Sequence, residues 1–287
     1  MTIGEYLRFR RYSHRILAGL KRSPRGILLN GARSPVSRTL SPGDRLDVFL
    51  EEEDSSPAVA PVPMELNIVT EDSDLLVINK PPNTPIHPSI NNHEHTLANG
   101  LAWYYQQQRL PFVCRCVNRL DRDTSGLLIV AKNALSASIL SDDLKRRNIR
   151  RTYLAIVRGR LEGRGTVRAP IAREEGSALK RCVSFERGEP AVTHYQALSY
   201  HPDLNLTLLS LRLETGRTHQ IRVHMLYLGH PLIGDFLYNP ERELIGRQAL
   251  HSWQLQFPHP ITGEDLSFQA APPSDMRKLF PEFFCES

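Results

Sequence analysis

The sequence predicts an α+β fold, a strand-rich domain on a mixed, largely antiparallel sheet, preceded by a small α/β unit. Three observations predict it. Strand-like apolar runs outnumber helical patterns along the chain. The length of 287 residues exceeds what one hydrophobic core usually organises. An acidic and Pro-rich stretch then separates a short basic beginning from everything after it.

Residues 1–52 form the small unit. Tyr12 to Arg22 reads as a short helix with Ile16, Leu17 and Leu20 on one face and Arg or Lys around them. Gly26 to Leu29 reads as a strand closed by Asn30-Gly31, a strong tight-turn signal. Ser41 to Asp44 is a second turn, and Leu46 to Leu50 an alternating strand. Glu51 to Ser56 and Pro57 to Pro63 read as solvated chain, which sets residues 53–63 as a linker. Residues 64–287 form the large domain. Leu75 to Lys80 is a buried strand stopped by Pro81-Pro82, and Leu127 to Ala131 is another. Ala134 to Arg147 is helix-like through Leu135, Ile139 and Leu144, with basic residues in its last turn, where they suit the helix dipole. Thr152 to Val157 and Leu204 to Leu213 return to strand. Thr218 is placed to cap a helix that turns Ile221, Met225 and Leu228 inward and stops at Gly229.

Composition narrows the function classes. Hydrophobic residues at 40 % and charged residues at 23 % suit a soluble globular chain, and no apolar run approaches the roughly 18 residues of a membrane span. The basic N-terminus is followed by no apolar stretch and no small-residue cleavage site, so no secretory signal is read and the cytoplasm is expected. The net charge of +5, carried by 30 Arg against 6 Lys, suits a polyanion partner, since guanidinium forks pair phosphate oxygens and stack on bases. A GC-rich coding bias accounts for the same excess equally well. Cys114, Cys116, Cys182 and Cys285 lack zinc-finger spacing and read as plain thiols.

Two blocks carry chemistry. In Asn118 to Lys132, Asp121 lies in a polar loop directly before a buried strand, with Arg119 and Arg122 supplying positive charge beside it. On residue type and position alone, Asp121 or Asp123 serves as well to close a turn. In Leu213 to His224, His219 and Arg222 share a helix face. Arg217 at the helix start suits a phosphate. A zinc site on His219 and His224 is ruled out, because their spacing of five leaves one helical face and the glutamate of a zinc-peptidase helix is missing. A third block, Arg150 to Gly159, is a strand with Tyr153 among basic residues.

Together these segments resemble the RluA-type RNA pseudouridine synthases. Asn79-Lys80-Pro81-Pro82 with His87-Pro88, R-L-D-R-D-T-S-G-L-L from Arg119, the R-x-Y-L-A-x-V-x-G strand, T-G-R-T-H-Q-I-R-V-H from Thr215, His230 to Tyr238, and Leu250-His251-Ser252 with Phe257 to Pro260 stand in the family's order over roughly residues 65–275. The resemblance implies that Asp121 is the catalytic aspartate and that Arg222 pairs with it. It implies that Tyr153 stacks on the target ring and takes part in removing the proton from carbon 5. Arg119 fills the gap left by the flipped nucleotide, and Arg217, His219 and Gln220 complete the substrate-binding set. The family usually has His before R-L-D, and Asn118 here is expected to alter loop hydrogen bonding rather than abolish activity. The N-terminal unit is similar to a small RNA-binding domain of a small-subunit ribosomal protein.

The same resemblance implies a monomeric isomerase acting on RNA, with large-subunit ribosomal RNA favoured and transfer RNA the alternative. A homologue that kept the scaffold and binds RNA without turnover is the further alternative. Asp121 either attacks ribose carbon 1′ or takes a proton from carbon 2′. Neither route calls for a metal or organic cofactor, and none is expected.

Overall fold

A computed structural model describes residues 1–50, 59–89, 93–240 and 243–284. The small unit runs α1 (Ile3–Phe9), α2 (His14–Arg22), β1 (Ile27–Leu29), β2 (Ala32–Arg33) and β3 (Leu46–Val48). Both helices start on side-chain caps. Thr2 and Glu5 cap α1 reciprocally, and Ser13 accepts from the amide of Ile16 at the head of α2. α2 buries Leu17 and Leu20 with Ile3, Leu7 and Ile27, while Ile16 is half-buried. Asn30 and Gly31 take φ of 53° and 80° and close the two-residue hairpin that sets Leu29 opposite Ala32. β3 pairs the other edge of β1. Arg11 ties the unit to the large domain, donating to both oxygens of Asp143 at 2.9 and 2.8 Å and to the carbonyl of Ile139 at 3.2 Å.

Of the expected linker, residues 53–58 lie outside the described residues. Its far end is anchored rather than free, because the Asn99 amide donates to the Ala60 carbonyl at 2.8 Å and Val62 N–H to the Asn99 carbonyl at 3.2 Å.

The large domain continues with β4 (Ile68–Glu71), β5 (Leu75–Lys80), α3 (Leu97–Gln107), β6 (Ser125–Ala131), α4 (Ala134–Lys145), β7 (Arg150–Arg158), β8 (Arg164–Arg168), β9 (Ile171–Arg173), β10 (Arg181–Val183), β11 (Val192–His201), β12 (Leu206–Leu213), α5 (Gln220–Tyr227), β13 (Leu250–Pro258), β14 (Asp265–Gln269), α6 (Ser274–Arg277) and α7 (Pro281–Phe284). One sheet runs β4-β5-β6-β13-β7-β12-β11-β8, with β14 added on β13. Every pairing in it is antiparallel except β6 with β13. Among the described helices none is long and apolar enough to cross a membrane.

The central strands are apolar throughout because both faces of the sheet are covered. Leu76, Ile78, Leu128 and Val130 enter one core, while Leu75, Val77, Leu127 and Ile129 enter the other. On β7 the same period of two sends Tyr153, Ala155 and Val157 to the first core and Leu154 and Ile156 to a third. Tyr153 therefore shares a face with Ile221 and Met225 of α5.

The helix carrying Arg222 starts differently from the expectation, and Thr218 does not cap it. His219 occupies the cap position in the left-handed region, φ 59°, with no side-chain cap. The Gln220 amide closes the preceding turn instead. Its oxygen accepts from Thr215 Oγ1 at 2.8 Å and from Arg217 N–H at 2.9 Å. Ile221 and Met225 are buried as expected, Leu228 is half-buried, and Gly229 comes next with φ 80°.

Candidate active site

Asp121 sits in the loop that enters β6, and three backbone ties fix that loop. Lys80, fully buried at the end of β5, donates from Nζ to the carbonyls of Pro81, Thr84 and Arg122 at 2.8–2.9 Å. Thr84 N–H also reaches the Arg122 carbonyl, and Arg247 donates to the Asp123 carbonyl at 3.1 Å. Asn118 pairs its side-chain amide with the β6 backbone, accepting from Ile129 N–H at 2.9 Å and donating to the Leu127 carbonyl at 3.5 Å. The residue at which the family pattern gives way thus works as a partner of the β6 backbone.

The guanidinium that meets Asp121 is not a sequence neighbour. Arg122 turns to Asp123, and Arg119 is exposed with no hydrogen bond or ion pair among the described residues. Instead Arg222, from the first turn of α5, donates NH1 to Asp121 Oδ2 at 2.9 Å. Local sequence suggested the flanking arginines, but the loop backbone points their side chains elsewhere. Arg222 is itself held by fully buried Asp235, which accepts from Nε at 2.6 Å and from NH2 at 2.7 Å. The fork-to-fork geometry fixes the plane of the guanidinium. Burial opposes its charge, but the carboxylates of Asp235 and Asp121 outweigh that and hold its pKa above the usual value.

His219 also faces Asp121, with Nε2 at 3.8 Å from Oδ2. Its Nδ1 lies 3.0 Å from the Tyr238 hydroxyl, and that oxygen already accepts from Arg181 N–H at 2.8 Å. The Tyr238 proton can therefore go to Nδ1, the tautomer that turns an Nε2–H toward Asp121. Burial pushes the His219 pKa down, against the pull of Asp121, so the ring is neutral near pH 7.

Tyr153 completes the inner wall. Asp121, Tyr153, Arg151 and Leu213 to Thr218 line one cleft of about 670 Å³. Burial raises the Tyr153 phenol above its usual range. Arg151 is buried beside it with Nε unpartnered, and Gly216 lets it approach, since a Cβ there would meet NH1 at 3.1 Å. At the rim, Arg119 and Arg217 face a second basin with Arg173, Arg181 and Arg187. Arg217 is ion-paired to Glu189 and donates Nε to the Pro190 carbonyl at 3.2 Å.

Of the residues singled out in the sequence, Asp121, Tyr153, Arg222 and His219 line one small recess of about 60 Å³ together with Arg119, Arg217 and Gln220, and Asp121, Tyr153, Arg119 and Arg217 also line the larger cleft beside it. Gln220 borders that recess with its side chain engaged in the protein. It is buried, and its amide NH2 is spent on the Val192 carbonyl and Thr193 Oγ1, both at 3.0 Å. Through its oxygen it shapes the turn below Arg217 and His219. Asp235, Tyr238, Arg151 and Lys80 carry this geometry without having been singled out for it. Asp235 and Tyr238 fall in a segment marked only by resemblance, and nothing local ties them to Arg222 or His219.

Comparison with known proteins places the chain in a family. A family model described as RNA pseudouridylate synthase matches residues 74–227, which span Lys80, Asp121, Tyr153 and Arg222. The chain is 44 % identical over 280 residues to an uncharacterized RNA pseudouridine synthase of Bacillus subtilis (strain 168), YjbO, covering 97 % of this chain and 98 % of that protein. It is 40 % identical over 257 residues to ribosomal large subunit pseudouridine synthase D of Haemophilus influenzae, covering 83 % and 76 %. Among solved structures, human RNA pseudouridylate synthase domain containing 1 matches with a TM-score of 0.59 and 29 % identity over 73 % of this chain and 84 % of that one.

Proposed function

Since the chain belongs to the RNA pseudouridylate synthase family, and is an RNA pseudouridine synthase and thus an isomerase, we propose that Asp121, Tyr153 and Arg222 carry its chemistry on uridines of large-subunit ribosomal RNA. The contact of Arg222 with Asp121 in a small recess that both line with Tyr153 is the observation that carries the reading.

The reaction breaks the bond from uracil nitrogen 1 to ribose carbon 1′ and remakes it from carbon 5. A stacked base cannot reach the cleft, so the nucleotide is flipped at a cost of a few kcal/mol. Arg119, exposed and unpaired at the rim, is the group available to fill the gap it leaves. The electron pair of the breaking bond stays on the uracil, and positive character grows at carbon 1′. Asp121 meets that charge by attacking carbon 1′, or takes the carbon 2′ proton to leave a glycal. Arg222 fixes the carboxylate during either course. The freed ring turns and carbon 5 bonds carbon 1′ as the bond from Asp121 to carbon 1′ breaks or, in the glycal course, as Asp121 returns the proton to carbon 2′; carbon 5 then loses its proton and nitrogen 1 gains one. The atoms balance without water or co-substrate.

Tyr153 suits the ring-contacting role. Its phenol, raised by burial, is protonated at neutral pH, so as a base it would first have to lose its own proton in a buried place. Arg217 and the arginines of the neighbouring basin would take phosphates, and His219 would donate to the Asp121 side of the ribose. Residues 1–52 act as a small RNA-binding domain ahead of a catalytic domain of residues 64–287. Ribosomal RNA is favoured over transfer RNA by the name of the Haemophilus influenzae relative and by this additional basic unit.

Tritium release from RNA labelled at uridine carbon 5 tests the assignment. Wild type turns over without added metal, and Asp121→Asn falls to background. Release by Asp121→Asn at the wild-type rate would sink it. A pseudouridine map of cellular RNA with and without the gene reads out the target.

A further inference from the structure

Cys114 and Cys116 look like ordinary thiols in the sequence, but the fold brings His87 to them. Cys114 and Cys116 lie on one extended segment that pairs with β6. Ala131 N–H donates to the Arg115 carbonyl at 2.9 Å, Val117 N–H to the Ile129 carbonyl at 2.8 Å, and Cys116 bridges Val130. Residues two apart on extended chain project to the same side, so the thiols converge with their sulfurs 3.8 Å apart. His87 comes from a turn fixed independently, through Leu97 N–H to the Pro85 carbonyl at 2.8 Å and Ala98 N–H to the Ile86 carbonyl at 3.0 Å. Its ring hydrogen-bonds the Cys114 thiol, and all three ligand atoms lie within 4.8 Å of one another.

We propose that His87, Cys114 and Cys116 form a three-ligand site for a zinc-class divalent cation. Two thiolates at the Zn–S length of about 2.3 Å, set at the tetrahedral angle, lie about 3.8 Å apart. That is the spacing the backbone already imposes on these sulfurs. A disulfide would instead need them near 2.05 Å. Two sulfurs and one imidazole select a borderline-soft ion over magnesium or calcium, which take oxygen ligands. His87 is exposed and both cysteines are half-buried, so the fourth position opens to solvent.

The bound ion clamps the His87 turn to the strand that runs through Asn118 into Arg119, Leu120 and Asp121. Cys116 already stands in the wall of the cleft. The isomerisation takes no step through the ion. Its effect is on the order of the segment that delivers Asp121, and the site stands or falls independently of the role of Asp121.

Cobalt(II) is the probe. The full chain, stripped with chelator under reducing conditions and titrated anaerobically, takes up one tight equivalent. It shows a thiolate-to-cobalt charge-transfer band and the intense visible bands of tetrahedral cobalt, and zinc bleaches both. Cys114→Ser and Cys116→Ser each lose about half of the charge-transfer band or more, and the double variant loses it whole, while Cys182→Ser keeps it. His87→Ala changes only an exposed residue, so it reads the site even if a cysteine variant fails to fold. It weakens uptake by about tenfold or more. Zinc raises the Tm of the stripped wild type and leaves that of His87→Ala unmoved. The second His-carboxylate group, Asp72, Asp74 and His259, contains no sulfur and gives no such band. Absence of the band, or its survival at full strength in both cysteine variants, overturns the site. So does uptake by His87→Ala at wild-type affinity.

Discussion

The guanidinium of Arg222 lies between two carboxylates that do different work. Asp235 is inaccessible and takes two of its donors, whereas Asp121 is partly open and takes one. Removing the buried partner leaves two donors of a buried guanidinium, Nε and NH2, without acceptors, so Asp235→Ala should cost about 3–5 kcal/mol in urea denaturation. Asp235→Asn keeps the shape but loosens the guanidinium. We expect kcat for tritium release to fall by roughly a hundredfold, with KM for RNA within about threefold, because binding at the rim does not depend on Asp235. Equal losses in both constants would show that Asp235 merely supports the fold. His251 offers a titration at the same scale. It is fully buried between Ser125 Oγ and the Ala270 carbonyl, each at 2.9 Å, and burial pushes its pKa down to about 4. The unfolded chain binds that proton near its ordinary value of about 6.5. Between the two values the unfolded state holds more protons, so stability is complete above about pH 6.5 and is lost as pH falls toward about 4. His251→Gln should flatten that part of the urea-midpoint profile, and an unchanged slope would refute the role of this histidine.

At the scale of elements, the one parallel pairing of the sheet depends on Gly126. Its φ is 107°, and a Cβ there would sit 2.2 Å from the Ser252 carbonyl oxygen. Gly126→Ala must part β6 from β13 or strain both, and we expect a loss above about 4 kcal/mol with little soluble protein, read by thermal unfolding. The apolar strands β5, β6, β7 and β12 are legible in the sequence, because burial on both faces leaves an unbroken hydrophobic run. β13 is not legible as a run, since Leu250-His251-Ser252-Trp253-Gln254 mixes polar groups that find partners only across the sheet. The start of α5 is misread for a related reason. A Thr beside a helix pattern signals a cap, but the Gln220 side chain closes the turn and pushes His219 into the left-handed region, an outcome set by Thr215 and Val192 from other elements.

At the scale of the molecule, the small basic unit and the arginine-lined basin form the RNA-binding surface in our reading. Arg11 holds the unit on α4 through Asp143. Deleting residues 1–55 should weaken RNA binding and reduce the slope of log K against log salt, since fewer phosphates are neutralised. Tritium release on short substrates should persist, because no described residue around Asp121 comes from that unit. Binding with an unchanged salt slope in a filter or fluorescence titration would reject the contribution.

By itself the sequence determined the class of fold, the turn at Asn30-Gly31, the buried strands and the two motif blocks around Asp121 and Arg222. All of these are written in neighbouring residues, through periodicity, turn chemistry and motif order. Apart from Arg222 facing Asp121, which the motif resemblance implied, which groups face one another was decided by the tertiary structure. Asp235 on Arg222, Tyr238 on His219, Lys80 under the Asp121 loop and His87 on Cys114 join residues brought together by sheet order and loop packing. Their hydrogen bonds form only once desolvation makes an unpaired buried group costly, and that pressure exists only in the folded chain.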